Sequence, residues 1–380
     1  MTALKPVKVA TIGCGAISDA YLSTMINQFR ILEVVGCYDR NLDKTERTAE
    51  KYNIKALSMQ QILEDDSIEL VVNLTASTAH YSVVKQLLEA GKHVYTEKVL
   101  ALELEEAAEL VRIADEKNLY LGVAPDTFLG ASIQTARYVV ESGMIGTITS
   151  AHCALSRDVS LFAELSPNAI KPGAGIGFDV GIYYITALLS LLGPVAEVSG
   201  IAKTLNKERQ HYYMEKLGEC YEIQCENLMA GTLQFESGAV GSLLFDSNSI
   251  LIVPEKPTLV LYGTDGVMYM SDPNLFGGEV KVILKGNTEP MVMQQSHSFT
   301  QESRGLGVAE MAWSMRKGRA NRASKEMGYH ALEILHSIVK SGETKQHIAL
   351  QSTFTNMPAL PRGYVTNSHF KFQDESGLAY

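Results

Sequence analysis

Residues 7–18 read VKVATIGCGAIS, an apolar run typical of a strand that breaks at Gly13-Cys14-Gly15 and continues as an amphipathic segment. A strand that ends in Gly-x-Gly and leads into a helix presents bare backbone N–H groups and a helix N-terminus, which together can hold a diphosphate. Gly13 is expected to allow the tight turn, Gly15 the close approach of the pyrophosphate, and Ser18 the packing of helix on strand. An ordinary tight turn can carry the same pattern, so the surrounding sequence must decide.

The first third of the chain alternates between predicted strands and predicted helices. The strands are Val7–Ile12, Leu32–Tyr38, Glu69–Thr75, Lys92–Thr96 and Tyr120–Val123. The helices between them are Ser18–Phe29, Leu42–Tyr52, His80–Glu89 and Leu104–Lys117. Strands separated by helices of this length form parallel βαβ units, so residues 1–125 are predicted to be an α/β domain with a doubly wound parallel sheet of the Rossmann type.

The pattern changes after Pro125, and we place a second domain over residues 126–380. Predicted helices Gly130–Ser142 and Val180–Leu192 flank a strand at Thr147–Leu155. The later predicted strands are Val195–Lys203, Cys220–Glu226, Met229–Phe235, Ala239–Ser247, Thr258–Gly263, Val267–Met270 and Val280–Leu284, and two helices follow at Gly305–Met315 and Lys325–Ser341. Consecutive strands joined by short turns predict an α+β domain with a mostly antiparallel sheet.

The composition is that of a globular protein large enough for two cores. The chain has 380 residues, of which 46% are hydrophobic, and a formal net charge of −10. This charge argues against a nucleic-acid or anionic-membrane surface, and no apolar run is long enough to cross a bilayer. The first residues lack the apolar core of a secretion signal, and the five cysteines have no metal-ligand spacing. We therefore expect a cytoplasmic protein with reduced thiols and no metal.

Asp39 ends the second predicted strand, about twenty residues beyond the glycine turn. A carboxylate at this place in a dinucleotide-binding unit accepts hydrogen bonds from the adenosine ribose hydroxyls and repels a 2′-phosphate. The predicted cofactor is therefore NAD, with NADP disfavoured, although the adjacent Arg40 could pair with a phosphate and weaken the preference. The alternative is that Asp39 only begins an Asp-Arg-Asn turn.

Glu97 and Lys98 stand at the carboxyl end of the fourth predicted strand, in the sequence KHVYTEK of residues 92–98. Ligands of open α/β sheets bind in the crevice outside these strand ends. Charged residues at strand ends are commonly only solvated, but the position of this pair relative to the glycine turn favours a functional role. His80, which follows the third strand, could either cap its helix or contact the cofactor.

Four motifs, taken in order, resemble the glucose–fructose oxidoreductase / inositol dehydrogenase / rhizopine-catabolism (Gfo/Idh/MocA) family. They are Gly13-x-Gly15 with Asp39, the turn Thr75–His80, Tyr95-Thr96-Glu97-Lys98, and Gly173-Ala174-Gly175-(x3)-Asp179-Val180-Gly181-Ile182-Tyr183. The resemblance extends over nearly the whole chain. It implies a Rossmann domain followed by a domain with a large, open-faced, mostly antiparallel sheet. It also implies NAD(P)-dependent oxidation or reduction of sugars, cyclitols and related polyols.

Through this resemblance Lys98 corresponds to the family's catalytic lysine, Asp179 to its substrate-orienting aspartate and Tyr183 to its proton-transfer residue. The cofactor-binding set predicted from the glycine turn, the strand ends and the resemblance is Gly13, Gly15, Ala16, Ile17, Asp39, Arg40, Thr75, His80 and Glu97. Three positions depart from the family's pattern. Val99 replaces the usual proline after Glu-Lys, Thr186 replaces an aspartate, and Thr75-Ala76-Ser77 lacks a proline.

Oxidation of an alcohol needs a base that takes the hydroxyl proton while the hydride leaves. A phenol with a pKa near 10 is a poor base at neutral pH. Lowering that pKa by roughly two to three units is worth about 3–4 kcal/mol, which a neighbouring ammonium in a partly dry cleft could supply. We therefore expect Lys98 to lower the pKa of Tyr183. In the alternative, Lys98 accepts the proton itself and Tyr183 only orients the substrate.

Three further residues are predicted on the substrate side. Asp126 lies where the chain crosses between the domains and is expected to line the cleft. Arg157 begins a polar, irregular stretch with the character of a substrate loop, although it could equally form a surface pair with Asp158. Tyr184 is the alternative to Tyr183, because one of two adjacent tyrosines is expected to pack in the core.

The residues and the resemblance together predict an NAD-dependent dehydrogenase that acts on a secondary alcohol of a sugar, cyclitol or glycoside. Its expected partners are that small molecule and further copies of the chain, as a dimer or tetramer, because a large exposed sheet face would aggregate. One alternative is redox-neutral, NAD-dependent cleavage of a glycoside through a transient keto-sugar. Another is a non-catalytic, dinucleotide-dependent regulator. The intact set Lys98, Asp179 and Tyr183 argues against this alternative.

Overall fold

The computed structural model describes residues 5–161, 163–164, 167–212, 215–248 and 259–361. Within these residues, the sheet that carries the glycine turn consists of six parallel strands. The strands are β1 (Val7–Ile12), β2 (Leu32–Tyr38), β3 (Lys55–Ala56), β4 (Leu70–Asn73), β5 (His93–Thr96) and β6 (Leu121–Val123). Their order is β3-β2-β1-β4-β5-β6. All four residues of β4 are buried, as expected for a strand covered on both faces. The predicted doubly wound parallel sheet is confirmed.

The helices of this sheet are α1 (Ala16–Gln28), α2 (Leu42–Tyr52), α3 (Met59–Glu64), α4 (Ser77–Glu89) and α5 (Leu104–Glu116). Helix α1 begins two residues before the predicted Ser18, and α4 begins three residues before the predicted His80. Strand β3 and helix α3 were not predicted. Helix α3 nevertheless has a sequence signal, because Ser58 and Gln61 form a capping box at its N-terminus.

The second sheet has nine strands among the described residues, in the order β16-β15-β14-β13-β7-β12-β11-β8-β17. They are β7 (Ile148–Ser156), β8 (Val195–Lys203), β11 (Leu228–Phe235), β12 (Val240–Asp246), β13 (Leu259–Gly263), β14 (Gly266–Met270), β15 (Val280–Leu284), β16 (Met291–Val292) and β17 (Ile348–Ala349), while β9 (Glu208–Gln210) and β10 (Cys220–Glu222) form a separate pair. The strands pair antiparallel except β7 and β12. The mostly antiparallel sheet is confirmed. The predicted strand Cys220–Glu226 is shorter and lies outside this sheet, and Thr258 lies outside the described residues.

Helices cover one face of the second sheet and join it to the first. These helices are α6 (Ala131–Glu141), α7 (Ile182–Leu192), α8 (Leu306–Lys317) and α9 (Lys325–Thr344). Helix α9 packs on β8 and β11, and α6 packs on β14 and β15. Helix α8, although late in the chain, packs on β5 and β6 of the first sheet. The loop before α8 is thereby held at the edge of the first sheet, next to the turn that carries Lys98.

The opposite face of the second sheet carries exposed apolar side chains. Leu244 and Val240 on β12, Ile201 on β8 and Tyr262 on β13 are each between 41% and 49% exposed. Polar residues lie between them, and His152 Nδ1 is 3.0 Å from Ser242 Oγ on the neighbouring strand. This face, which we call the open face, agrees with the open-faced sheet that the resemblance implies.

Candidate active site

The glycine turn has the shape that a diphosphate requires. Gly13 has φ of +100°, and a methyl group there would lie 2.6 Å from the carbonyl carbon of Leu74. A methyl group at Gly15 would meet no atom within 4 Å, so open space lies above this part of the turn. Among the described residues no side chain caps the N-terminus of α1, and Gly15 and Ala16 are exposed. Ser18 N–H donates to the Gly15 carbonyl oxygen at 3.1 Å, so the N–H groups of Gly15, Ala16 and Ile17 are the ones placed to bind an anion.

Asp39 is held beside this turn at the end of β2. Its Oδ2 accepts a hydrogen bond from the Cys14 N–H at 2.8 Å, and its Oδ1 accepts one from the Asn41 N–H at 2.8 Å. Asp39 does begin a turn, and it is also linked to the glycine loop, so its turn role does not exclude a ribose contact. Arg40 is exposed next to it. The residues of the turn and of β2 thus fit an NAD molecule with its ribose at Asp39, and that contact stays a prediction.

The turn after β5 is fixed by buried hydrogen bonds. Glu97 accepts from the Tyr21 hydroxyl at 2.7 Å and from the Lys98 N–H at 3.1 Å. His80 is buried in the first turn of α4, with Nδ1 2.5 Å from the Val99 carbonyl oxygen and Nε2 3.0 Å from that of Thr75. The prediction that His80 caps its helix is wrong, because its ring instead links the turns after β4 and β5. Direct cofactor contacts of Thr75, His80 and Glu97 stay predictions.

Lys98, Asp179 and Arg157 meet at the carboxyl end of β5. Lys98 Nζ donates to Asp179 Oδ1 at 2.8 Å and to the Asp179 carbonyl oxygen at 2.6 Å. Arg157 Nη2 donates to Asp179 Oδ2 at 2.5 Å. The surface-pair interpretation of Arg157 is therefore wrong, and Asp158 pairs instead with Arg209. One carboxylate thus bridges two cations that come from different domains.

The charges of this cluster control its pKa values. Burial raises the pKa of Asp179, but the positive charges of Lys98 and Arg157 outweigh it and bring the pKa to about 2. Burial lowers the pKa of Lys98, but the negative charges of Asp179 and Glu97 and the neighbouring Tyr183 raise it overall above the usual value. At neutral pH the cluster therefore consists of a carboxylate and two cations.

Tyr183 lies beside Lys98, but its hydroxyl is bonded elsewhere. The Lys98 Nζ is 5.8 Å from the centroid of the Tyr183 ring, so the ammonium lies over the ring. The guanidinium of Arg304 approaches the hydroxyl side and lowers the pKa of Tyr183 through its charge and hydrogen bonding. Burial raises the pKa of Tyr183, and the charges of Lys98 and Arg304 reverse this only in part. Lys98 does lower this pKa, as expected, but burial outweighs its charge, so the pKa of Tyr183 stays above its usual value.

Close packing on the second sheet positions Asp179 and Tyr183. A π-helical turn, Gly177–Gly181, runs directly into α7, so the two residues lie four apart on one helical surface. A methyl group at Gly181 would lie 2.5 Å from the ring of Phe245, and one at Gly177 would lie 2.7 Å from Met229 Sδ. These glycines allow the helix to approach the sheet closely.

Two residues predicted on the substrate side have structural roles instead. Tyr184 is fully buried, with its ring centroid 5.6 Å from that of Phe245, so it packs in the core. Asp126 is buried, and its Oδ2 accepts from the N–H groups of Gly305 and Gly307 at 2.9 and 3.0 Å. Both predictions of a substrate contact are wrong. Asp126 caps the N-terminus of α8 and so fixes the loop that carries Arg304.

Arg304 is the site residue that the sequence did not reveal. It is only 14% exposed and reaches Tyr183 from the loop before α8, while its guanidinium also pairs with Glu302 and donates to Asn274 Oδ1 at 3.1 Å. Its carbonyl oxygen accepts a hydrogen bond from the Thr24 hydroxyl on α1, which ties the loop to the first domain. No motif surrounds Arg304, and tertiary contacts bring it to the site: the packing of α8 on β5 and β6, the Asp126 cap and the Thr24 hydrogen bond.

Within the described ranges, no group of three or more His, Cys, Asp or Glu side chains could hold a metal ion. The helices of the described part of the chain include none that is long and apolar enough to span a bilayer. All five cysteines are free thiols.

Comparison with known proteins agrees with this geometry. Residues 7–124 match the family model GFO_IDH_MocA, described as "Oxidoreductase family, NAD-binding Rossmann fold", and residues 133–269 match the "GFO/IDH/MocA C-terminal domain". An uncharacterized oxidoreductase of Schizosaccharomyces pombe is 30% identical over 228 residues, which cover 58% of this chain and 60% of that protein. The match therefore spans less than two thirds of this relative.

Two longer matches cover almost the whole of each relative. D-glucoside 3-dehydrogenase of Escherichia coli is 25% identical over 357 residues, which cover 91% of this chain and 98% of that protein. The solved structure of levoglucosan dehydrogenase in complex with NADH and levoglucosan has a TM-score of 0.77 at 19% identity, and the match covers 91% of this chain and 99% of that chain. The latter likeness shows that the two folds agree.

Proposed function

This chain belongs to the Gfo/Idh/MocA oxidoreductase family, and we propose that it is an NAD-dependent dehydrogenase acting on a secondary alcohol of a sugar, cyclitol or glycoside. The observation that carries the proposal is the contact between Lys98 Nζ and Asp179 Oδ1 at 2.8 Å, at the strand edge where the glycine turn also lies. Here an ammonium, a carboxylate and a phenol come together. A regulator that only senses a dinucleotide would need no such group of proton donors and acceptors.

The glycine turn and Asp39 support NAD as the cofactor. The N–H groups of Gly15, Ala16 and Ile17 would hold the diphosphate, and the Asp39 carboxylate would accept the ribose hydroxyls and repel a 2′-phosphate. When bound, the nicotinamide supplies the chemistry of accepting or donating a hydride.

The charged residues orient the substrate and move its proton. Asp179, ionised and held by Lys98 and Arg157, can accept a hydrogen bond from a second hydroxyl of a polyol. Lys98, kept as an ammonium by its anionic neighbours, can donate to the reacting oxygen. The raised pKa values of Lys98 and Tyr183 keep both groups protonated at neutral pH, which suits protonation of a ketone during reduction. Oxidation requires that one of them has first lost its proton to solvent, so that it can accept the proton of the substrate hydroxyl, and Arg304 would stabilise the phenolate form of Tyr183.

Replacement of Lys98 tests this function. Lys98→Met should retain NADH binding, measured by fluorescence titration, and lose turnover by roughly a hundredfold or more, because general acid–base catalysis typically contributes that much. Lys117→Met, which changes an exposed lysine at the end of α5, should keep both properties. A Lys98→Met enzyme with ordinary turnover would rule out the assigned site.

We further propose that the protein works as a homo-oligomer in the cytoplasm. The exposed apolar residues of the open face support a second copy of the chain as partner, because an uncovered sheet surface of this kind promotes aggregation. The five free thiols support a reducing compartment.

A further inference from the structure

Two thiols meet beneath the glycine turn. Cys14 is the middle residue of Gly13-Cys14-Gly15, and Cys37 lies near the end of β2, the neighbouring strand. The Gly13 N–H donates to the Tyr38 carbonyl oxygen at 2.7 Å, and the Cys14 N–H donates to Asp39 Oδ2 at 2.8 Å, so the turn is fastened to the end of β2 on both sides of Cys37. These backbone contacts place Cys14 and Cys37 side by side, and each thiol shifts the pKa of the other.

Contacts with α2 confirm that the two side chains point the same way. Cys37 Sγ lies 3.6 Å from the Thr45 carbonyl oxygen, and the Cys14 thiol forms a hydrogen bond with Thr48, three residues further along the same helix. Both sulfur atoms therefore lie in one space between the strand ends and α2. This shared space is what allows the two sulfur atoms to react with each other.

The two thiols differ in access and in acidity. Cys14 is partly exposed, whereas Cys37 is fully buried. The hydrogen bond with Cys37 lowers the pKa of Cys14, with smaller lowering contributions from Thr48 and Lys44, against burial and the charge of Asp39. The same hydrogen bond and burial raise the pKa of Cys37. A peroxide arriving from solvent thus meets the more acidic thiol first, and a second thiol lies behind it.

We propose that Cys14 and Cys37 form a reversible disulfide that closes the dinucleotide site when the protein meets hydrogen peroxide. The Cys14 thiolate attacks one peroxide oxygen and the O–O bond breaks, which gives a sulfenic acid and releases hydroxide. The Cys37 thiol then attacks the sulfenic sulfur, the S–O bond breaks, and water leaves. In sum, two thiols and one hydrogen peroxide give one disulfide and two waters. The sulfurs lose two electrons and the peroxide gains them.

The disulfide changes the cofactor site because of where it forms. The sulfur atoms move from hydrogen-bonding contact to a bond of about 2.05 Å, which draws the turn toward β2. Cys14 contributes to the turn and touches Asp39 through its N–H, so both the diphosphate site and the ribose site are displaced. Bound NADH would cover the turn and protect Cys14. This inference needs only the dinucleotide site and is independent of the catalytic proposal.

Peptide mapping of the peroxide-treated full chain tests the disulfide directly. Trypsin separates the two cysteines into peptides 9–30 and 31–40, since residues 8, 30 and 40 are Lys, Arg and Arg. We expect a linked 9–30/31–40 species that dithiothreitol removes and that saturating NADH suppresses. NADH titration of the oxidised protein should give a Kd raised by roughly tenfold or more, restored on reduction.

Single variants separate this effect from general oxidation. Cys14→Ser should form no link and keep its NADH affinity after peroxide, and Cys37→Ala should gain one oxygen at Cys14 without a link. Cys220→Ser, which changes an exposed thiol on β10, should behave as the parent protein does. Three results would each overturn the inference: no linked peptide in the parent protein, linkage that NADH does not slow, or linkage that leaves the Kd unchanged.

Discussion

Tyr183 has cations on two sides, Lys98 over its ring and Arg304 at its hydroxyl. A guanidinium that hydrogen-bonds the phenol oxygen stabilises the phenolate more directly than an ammonium over the ring does. Lys98 Nζ instead donates hydrogen bonds to the carbonyl oxygen and the carboxylate of Asp179. The charge of Lys98 and the charge and hydrogen bonding of Arg304 both lower the pKa of Tyr183, so we infer that Arg304 shares control of the Tyr183 proton while Lys98 also orients Asp179.

The pH dependence of oxidation tests this assignment. Because the pKa of Tyr183 is raised above its usual value, its deprotonated fraction grows only at alkaline pH, and kcat/KM for oxidation should rise with pH through that range. Arg304→Gln removes the stabilising charge, so the rise should move to still higher pH, with roughly tenfold less activity at neutral pH for each unit of movement. Arg304→Lys should restore part of the loss.

Two variants serve as references for this pH profile. Tyr183→Phe should abolish the alkaline rise if Tyr183 is the proton acceptor. Arg112→Gln, which removes an exposed arginine of α5 paired with Glu116, should leave the profile unchanged. An Arg304→Gln profile that coincides with that of the parent enzyme would contradict the assignment.

Sequence motifs indicated some residues of the candidate active site and not others. Lys98 was indicated by its place at a strand end, and it and Asp179 lie in motifs that resemble those of a known family; the structure brings the two into contact. Arg304 has no such motif, since a loop far along the chain delivers it. Asp126 and Tyr184 were placed wrongly because sequence position shows that a residue is near a cleft, but not the direction in which its side chain points.

Among the elements, the turn between β1 and α1 contains two glycines that are required for different reasons. Gly13 is required by the protein itself, because its positive φ and its contact with Leu74 leave no room for a side chain. Gly15 has open space around it and is required only by what binds there. Substitutions at Gly13 and Gly15 should therefore affect folding and cofactor binding separately, although the two glycines lie only two positions apart.

Alanine substitutions at the two glycines should separate folding from binding. Gly13→Ala should lower the free energy of unfolding by about 3 kcal/mol, from strain at positive φ and the overlap with Leu74. Gly15→Ala should unfold at the same denaturant concentration as the parent protein but bind NADH more weakly, because the methyl group fills the space above the turn. Urea unfolding and NADH titration measure the two effects. A stable Gly13→Ala protein, or a Gly15→Ala protein with full affinity, would contradict this division.

In the two large sheets, the strands of three or more residues were predicted, and the two-residue strands were not. Strands such as β1, β2 and β8 have the predicted bounds, because apolar runs bounded by turns are sufficient to identify them. The two-residue strands β3, β16 and β17 depend on pairing with distant segments and leave no local pattern. The length of a strand therefore determined how much of it the sequence could reveal.

In the molecule as a whole, the two sheets share helices from the end of the chain. Helix α9 packs on both the second sheet and β6, and α8 packs on β5 and β6. Sequence order suggested a boundary near residue 125, but it could not show that the last helices return to the first sheet. That return places Arg304 beside Tyr183, so the site depends on contacts made by the whole fold.

The open face should hold the subunits together. Size-exclusion chromatography with light scattering should show a dimer or tetramer for the parent protein. Leu244→Arg, which puts a charge in the middle of this face, should shift it toward monomer. Leu217→Arg, at an exposed leucine outside the sheet, is the matched control and should not. A monomeric parent protein, or an oligomer that Leu244→Arg leaves intact, would contradict this arrangement.

The most direct test of the central claim is a panel of sugars, cyclitols and glycosides incubated with NAD, with NADH absorbance and product mass recorded together. We predict that at least one compound yields NADH together with a product lighter by two hydrogens, and that Lys98→Met yields neither. The same reaction with NADP should be weaker because of Asp39. Cleavage of a glycoside without net NADH would contradict the dehydrogenase assignment in favour of the redox-neutral reaction, and so would a panel that gives no product although NAD binds.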